Sequence, residues 1–243
     1  MIFYKLQANG NDFIVVYENK ILKKDIKKIC QNHFSVGADG IIVLKKVMNY
    51  DLGMWIYNFD GSKARMCGNG LKITAYFLRN ILNNKKEEYS ILVNNEKEAI
   101  VGYINEQYYA LLDRPKFLKR SNNYYIYNIG NTHAIKLVDY ISKSSLINDK
   151  KNKEFDGMNV TNVQIIDKNK VKILTYENGV GITNSCGSAS LCSFQYLLDT
   201  EKVEKNIEFF SLGGRYSVEK MYDKLCLFGK VNYVYKGELI DEY

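Results

Sequence analysis

Short alternations of apolar and polar residues dominate the chain and predict a structure built mainly from β-strands. The predicted strands are 13–16, 41–44, 54–57, 89–93, 98–104 and 108–112 in the first half, and 132–138, 160–166, 170–176, 207–210 and 225–231 in the second. Apolar residues recur at helical spacing instead in 70–82 and 188–198, and a third helix is predicted over 24–32. Strands interrupted by a few helices indicate an α/β chain.

The two halves of the chain repeat one order of motifs. Cys67 and Cys186 each stand before a glycine at the start of a predicted helix, and Tyr57 and Tyr176 stand at the same distance before them. The other matched positions are Gly10-Asn11 with Gly130-Asn131, and Leu78 with Leu197. Because these matches share nearly one offset, we predict two related domains, 1–113 and 114–232, which face each other across a cleft. Pro115 is the only proline and lies near the predicted boundary.

Composition limits the classes of protein that the chain can represent. Hydrophobic residues make up 46% of the 243 residues, so a sizeable core can be buried. Neither an apolar run of about 18 residues nor a signal-peptide pattern occurs, so we expect a soluble cytoplasmic protein without a membrane partner. The net charge is +7, but the lysines lie in short mixed runs without interleaved aromatics, so no nucleic-acid partner is expected.

The cysteines are expected to be thiols, because their number is odd and no pair has CxxC spacing. They are Cys30, Cys67, Cys186, Cys192 and Cys226. Only two histidines, His33 and His133, accompany them, so no metal site is expected. We interpret Cys30, Cys192 and Cys226 as buried structural thiols.

Cys67 and Cys186 differ from the other cysteines because a helix N-terminus follows each of them. The unpaired N–H groups there carry partial positive charge, attract anions and favour a thiolate. Two such loops can bind one carboxylate and place a sulfur on each side of the adjacent carbon. One thiolate then removes the α-proton while the opposite thiol delivers another, and the N–H groups stabilise the carbanion. This chemistry requires no cofactor, and no lysine has a recognisable Schiff-base context for pyridoxal phosphate.

The motifs resemble those of the diaminopimelate epimerase family along most of the chain. They are Asn9-Gly10-Asn11-Asp12-Phe13, His33 to Gly40, Tyr57 to Ser62, Met66 to Gly70, Gly130-Asn131-Thr132-His133, Met158-Asn159-Val160, Tyr176 to Gly179, Cys186-Gly187-Ser188 and Leu212-Gly213-Gly214. The resemblance implies two pseudo-symmetric domains, each a curved, mostly antiparallel sheet around a central helix, with the active site in the interdomain cleft. It leaves open a return of the tail 233–243 to the first domain. A homodimer is one option for its assembly.

The resemblance also implies a role for each matching residue. Cys67 and Cys186 would be the acid/base pair, and Glu177 would bind the α-ammonium group. The reacting carboxylate would be bound by the backbone amides of Gly68, Asn69, Gly187 and Ser188. The asparagines that would line the pocket are Asn11, Asn58, Asn131 and Asn159, the last three near the far end of the substrate. His133 is expected to be a structural hydrogen-bonding residue.

One departure from the family pattern concerns the far end of the substrate. Asn178 stands where the family has an arginine for the distal carboxylate, and asparagine does not replace that charge. Thr132 also replaces a proline, and Ala189 replaces a glycine. Two enzymes remain open: a divergent diaminopimelate epimerase with its charge from another residue, or a racemase of a single-centre amino acid such as histidine.

Three further alternatives lie at a greater distance. A proline-racemase-like enzyme would share a related fold. A binding protein without catalysis would not need two thiols at the α-carbon. A cysteine hydrolase would need a histidine beside its nucleophile, and His133 is the candidate.

Overall fold

The computed structural model describes residues 1–19, 21, 23–203 and 205–240, which form two compact units. One unit comprises Met1–Ala110 and Gly229–Tyr243, and the other comprises Leu111–Phe228. The predicted boundaries, 113/114 and 232/233, lie a few residues further along the chain.

The helices and strands have the following bounds. The first unit contains β1 (Ile2–Ala8), β2 (Asn11–Tyr17), α1 (Lys23–Ile29), β3 (Gly40–Lys45), β4 (Leu52–Asn58), α2 (Gly68–Tyr76), β5 (Glu88–Val93) and β6 (Lys97–Ile104). Next along the chain are β7 (Gln107–Leu112), β8 (Lys116–Ser121), β9 (Tyr124–Asn128), β10 (Thr132–Leu137), α3 (Lys143–Lys150), β11 (Asn159–Asp167) and β12 (Lys170–Glu177). The last elements are β13 (Gly181–Ile182), α4 (Gly187–Asp199), β14 (Asn206–Ser211), β15 (Gly214–Met221), β16 (Lys224–Gly229) and β17 (Asn232–Glu238).

Both units follow the same order of strand pairing. In the first unit, β1–β2, β3–β4 and β5–β6 are antiparallel, whereas β2–β3 and β4–β5 are parallel. In the second unit, β9–β10, β11–β12 and β14–β15 are antiparallel, whereas β10–β11 and β12–β14 are parallel. The predicted α/β repeat with mostly antiparallel sheets is therefore confirmed.

Each sheet curves around one central helix. In the first unit α2 packs against β1 and β6, which lie far apart in the order of strands. Its residues 68–75 are all buried. In the second unit α4 packs against β9, β10, β11 and β15, and its residues 189–197 are buried. A helix that is buried on all sides is typical of one enclosed by its own domain.

The last strand belongs to the first unit although it follows the second unit in the chain. β17 pairs antiparallel with β1, from Ile2 opposite Glu238 to Gln7 opposite Asn232. A backbone hydrogen bond of 2.9 Å from Leu239 to Met1 continues this pairing. The chain thus returns to its own beginning before residue 240.

Some elements differ from their predicted bounds. The helix predicted over 70–82 begins at Gly68, and after Tyr76 it widens into a π-helical turn, Phe77–Ile81, in which Leu82 N donates to Phe77 O. The helix predicted over 24–32 already ends at Ile29. The strands β1, β8, β9, β13, β15 and β17 and the helix α3 were not predicted. β8 and β17 are exposed at nearly every position, so their sequences lack the alternation of apolar and polar residues that marks a strand. α3 buries only Leu146, so its sequence lacks the apolar spacing that marks a helix. Within the described residues, no helix has both the length and the apolar character needed to cross a membrane.

Candidate active site

Cys67 lies at the N-terminus of the central helix of the first unit. It is the N-cap of α2, with φ of −146° and ψ of 112°, and Gly70 N donates to its Sγ at 3.3 Å. A Cβ atom at position 70 would come within 3.2 Å of Ile42 Cδ1, so glycine allows this turn to lie close to β3. The backbone N–H group and the helix N-terminus both favour a negative charge on the sulfur.

Asn11 and Asn69 flank the sulfur of Cys67. The thiol donates to Asn11 Oδ1 at 3.8 Å, and Asn69 Nδ2 donates to the same oxygen at 3.4 Å. Asn11 Nδ2 in turn donates to Asp39 Oδ2 at 2.8 Å. Asp39 therefore fixes which end of the Asn11 amide faces the thiol. Burial is the main cause of the raised pKa of Asp39, opposed by its hydrogen bond with Asn11.

Lys72 is a fully buried cation on the same helix as Cys67. Its side chain donates to Asn9 Oδ1 at 3.0 Å, and burial lowers its pKa from 10.5 to about 7. The charge of Cys67 acts in the opposite direction and raises the pKa of Lys72. Because this attraction is mutual, an ammonium at Lys72 favours the thiolate of Cys67.

Asn58 lies at the end of β4, opposite Gly40, the residue after Asp39. Its side chain is exposed, and Asn58 Nδ2 donates to Ser62 Oγ at 2.9 Å. Asn58 and Ser62 therefore close a turn, which fits the turn-forming preference of asparagine. The side chain lies at the surface of the first unit, where a solute can reach it.

Cys186 lies at the N-terminus of the central helix of the second unit. It is the N-cap of α4, with φ of −124° and ψ of 108°, values close to those of Cys67. Its Sγ lies 3.3 Å from Ser188 Oγ, and Ser190 N donates to its carbonyl oxygen at 3.1 Å. The backbone N–H groups of Gly187 and Ser188 belong to the first turn of α4, which leaves them without partners in the helix.

A chain of polar contacts links three of the predicted asparagines in the second unit. Asn131 Oδ1 lies 3.1 Å from His133 Nε2, and Asn159 Nδ2 lies 3.3 Å from the same nitrogen. Asn178 N donates to Asn159 Oδ1 at 2.9 Å, which sets the orientation of the Asn159 amide. Asn131 and Asn178 are exposed, whereas Asn159 and His133 are buried.

His133 is a neutral member of this chain. Burial lowers its pKa to about 3, and the side-chain amides of Asn131 and Asn159 both lie within hydrogen-bond distance of its Nε2. An imidazole with so low a pKa is a poor base for activating a thiol. The burial of His133 and its low pKa disfavour a cysteine hydrolase and agree with the predicted structural role of this residue.

Glu177 ends β12 directly before Asn178. Thr183 Oγ1 donates to Glu177 Oε1 at 2.7 Å, so the carboxylate is oriented by the residue that directly follows β13. The pair Glu177 and Gly181 closes the β12–β13 hairpin. A half-buried carboxylate in this position is able to accept hydrogen bonds from an ammonium group.

The remaining cysteines have no comparable surroundings. Burial raises the pKa of Cys30 to about 12 and that of Cys192 well above its ordinary value. Cys226 is also fully buried. The raised pKa values keep Cys30 and Cys192 protonated at neutral pH, which agrees with their predicted structural role.

The structure thus brings predicted residues together within each unit. In the first unit, hydrogen bonds join Asn11, Cys67 and Asn69; in the second, contacts through His133 join Asn131, Asn159 and Asn178. Asp39, Lys72 and Lys150 were not predicted as site residues. Lys72 is the one charged residue between Cys67 and Tyr76, which was a signal for it, whereas nothing in the pattern marked Lys150.

Solved structures share this fold. A protein of the phenazine biosynthesis PhzF family from Enterococcus faecalis has a TM-score of 0.73 at 15% identity, over 98% of both chains. A hydroxyproline epimerase from Agrobacterium vitis has a TM-score of 0.67 at 11% identity, over 98% of this chain and 90% of its own. At such identities the similarity establishes the fold alone.

Sequence relatives define the class of protein. The family model for diaminopimelate epimerase matches residues 3–118. The diaminopimelate epimerase of Campylobacter jejuni is 30% identical over 98% of both chains, and that of Methanocaldococcus jannaschii is 28% identical over 99% of both. The protein is accordingly an isomerase of the epimerase and racemase class. It belongs to the diaminopimelate epimerase family, which confirms the resemblance of its motifs.

Proposed function

We propose that the protein inverts an α-carbon of diaminopimelate, converting the LL form to the meso form, with two thiols and without a cofactor. The observation that carries this proposal is the equivalent position of Cys67 and Cys186. Each is the extended N-cap of the buried central helix in one of two units with the same strand order. Two reactive groups of one kind at equivalent positions suit a reaction that removes a proton and delivers one to the opposite face.

In the proposed mechanism, one thiolate removes the α-proton and the other thiol protonates the opposite face of the carbanion. The backbone N–H groups of Gly68 and Asn69, and of Gly187 and Ser188, bind the α-carboxylate. Charge that moves into the carboxylate in the transition state is stabilised by these donors and by the two helix N-termini. In the reverse direction the two cysteines exchange roles.

The other polar residues hold the substrate in place. Glu177 binds the α-ammonium group, and Asn11 is oriented beside Cys67 by Asp39. Asn58, Asn131 and Asn159 contact the far end of the substrate. Correct orientation matters because the two thiols must reach opposite faces of the same carbon.

Racemisation of histidine is the second candidate function. Asn178 favours it, since an uncharged amide suits an imidazole better than a carboxylate. The reacting end would be the same, and only the residues at the far end of the substrate would differ.

Incubation in deuterium oxide tests the proposal. The protein is mixed with LL-diaminopimelate and with a panel of L-amino acids, and chiral analysis is combined with mass spectrometry. We expect meso-diaminopimelate that carries deuterium at the inverted carbon. Inversion of histidine but not of diaminopimelate would support the second candidate, and an absence of exchange on every amino acid would overturn both.

Variants of the cysteines test the mechanism. Cys67→Ser and Cys186→Ser are each expected to lower the rate of inversion by at least about 100-fold, the usual contribution of an acid or base. Cys192→Ala removes a buried thiol from the same helix as Cys186 and should retain activity. If either serine variant inverts the substrate as fast as the unmodified protein does, the two-thiol mechanism is refuted.

A further inference from the structure

Lys150 lies beside Asn178 and brings a positive charge to that position. It is the last residue of α3, and its Nζ donates to Asn178 Oδ1 at 3.2 Å. Two backbone carbonyl groups complete its surroundings: Phe155 O at 2.7 Å and Met158 O at 3.0 Å. The ammonium is therefore held by the loop between α3 and β11, at a position set by three acceptors.

No carboxylate neutralises this ammonium within the part of the chain that the structure describes. Two acidic residues close to it in sequence are paired with other lysines: Asp149 with Lys136 at 3.2 Å, and Glu154 with Lys119 at 3.9 Å. A third, Asp156, which the structure also describes, is exposed and forms no ion pair with Lys150. All three partners of Lys150 are neutral oxygens. A half-buried cation that has only dipoles around it retains its attraction for an anion.

The cation stands at the end of the polar chain described above. Asn178 connects to Asn159 through its backbone N–H group, and Asn159 connects to His133 and Asn131. Glu177 precedes Asn178 directly. A ligand that reaches the exposed side chain of Asn178 thus comes within reach of the ammonium of Lys150.

We propose that Lys150 determines the substrate class by binding a carboxylate at the far end of the substrate. The longest of its three contacts is the one to Asn178 Oδ1, and this oxygen is the one that an incoming carboxylate replaces. When the Asn178 side chain rotates, its Nδ2 becomes a second donor to the same carboxylate. This proposal rests on the proposed function and deepens it: the substrate is an amino acid with an anionic distal group. A protonated imidazole is repelled at the same place.

Equilibrium binding tests the proposal separately from catalysis. LL-diaminopimelate and L-lysine are suitable probes, because L-lysine lacks only the distal carboxylate. We expect calorimetry to show that the protein binds LL-diaminopimelate about 10- to 100-fold more tightly, the range of a hydrogen bond to a charged group. In Lys150→Met this preference is lost, whereas in Lys150→Arg most of it remains. Lys151→Met, which removes the exposed neighbouring lysine, serves as the matched control and keeps the full preference.

A second variant leaves the loop contacts of Lys150 in place. Asn178→Asp puts a carboxylate beside the ammonium and should abolish the preference for LL-diaminopimelate without affecting Phe155 O or Met158 O. In the Lys150→Met background, Asn178→Arg restores a cation and should restore the preference. Circular dichroism shows whether each variant is folded. If Lys150→Met does not fold, the result for Asn178→Asp decides.

The outcomes separate this proposal from the proposed function. Equal binding of the two probes by the unmodified protein, or an unchanged preference in Lys150→Met or Asn178→Asp, would overturn the role of Lys150 even if diaminopimelate is inverted. A preference that depends on Lys150, in a protein that exchanges no α-hydrogen, would support the carboxylate site and overturn the proposed function alone.

Discussion

Replacement of Lys72 by methionine should stabilise the protein at neutral pH, and the gain should shrink at alkaline pH. The pKa of this fully buried lysine is about 7 in the folded state, against 10.5 for an ordinary lysine. Between these values the unfolded chain binds the proton more tightly than the folded protein does. Stability of the unmodified protein therefore rises as pH increases from about 7 towards 10.5.

The size of the effect follows from the pKa difference. Each pKa unit corresponds to about 1.4 kcal/mol, and nearly one proton separates the two states around pH 8 to 9. The unmodified protein should thus gain about 2 kcal/mol between pH 7 and pH 9 relative to Lys72→Met. The lost hydrogen bond to Asn9 Oδ1 costs about 1 kcal/mol at every pH and leaves this difference unchanged.

Urea unfolding at both pH values measures the difference directly. Lys72→Arg keeps a charge that does not deprotonate, so it should not gain stability between pH 7 and pH 9. Lys46→Met removes an exposed ammonium and should differ from the unmodified protein equally at both pH values. A constant difference for Lys72→Met as well would refute the view that burial of the charge limits stability.

Lys72→Met should also slow the alkylation of Cys67, since the ammonium of Lys72 favours the thiolate of Cys67.

Three further predictions concern single side chains. The pKa of His133 is about 3 in the folded state, so only the unfolded chain binds a proton at this residue as the pH falls below 6.5. Stability should therefore drop by about 2 kcal/mol between pH 7 and pH 5, and urea unfolding of His133→Gln should lack this drop. Asp39→Ala removes the acceptor of both the Asn11 amide and the Asp12 backbone N–H group and should lower kcat/KM about 10-fold, the contribution of a hydrogen bond to a charged group; unchanged kinetics would exclude the orienting role of Asp39. Glu177→Gln should lower kcat/KM by about 10- to 100-fold, because the α-ammonium group loses its charged partner. A kcat/KM equal to that of the unmodified protein would exclude Glu177 as the group that binds the α-ammonium.

Most of the proposed reacting end of the site was predictable from the sequence alone. A cysteine before a glycine at a helix start is a local pattern, because N-cap geometry depends on a few neighbouring residues. The structure accordingly places Cys67 and Cys186 at the starts of α2 and α4. The repeat was also visible, since its matched motifs lie at nearly one offset. That Asn178 replaces the arginine of the family was visible from a comparison of the motif alone.

Contacts between segments far apart in the chain were decided by the tertiary structure. Asp39 reaches Asn11 because β2 and β3 pair in parallel, and Lys72 reaches Asn9 because α2 packs on β1. The strands β8 and β17 lack the alternation that marks a strand, since nearly all their positions are exposed. Their pairing partners, rather than their own residues, make them strands.

Lys150 shows the same division at the proposed distal end of the site. The sequence indicated that a charge is missing at Asn178, but it gave no reason to single out one lysine among many. Only the fold, which sets the end of α3 beside the end of β12, brings Lys150 Nζ to 3.2 Å from Asn178 Oδ1. Local patterns thus determined that Cys67 and Cys186 stand at helix starts. Long-range packing decided which charges surround these helix starts, because electrostatic interactions depend on distance in space and not along the chain.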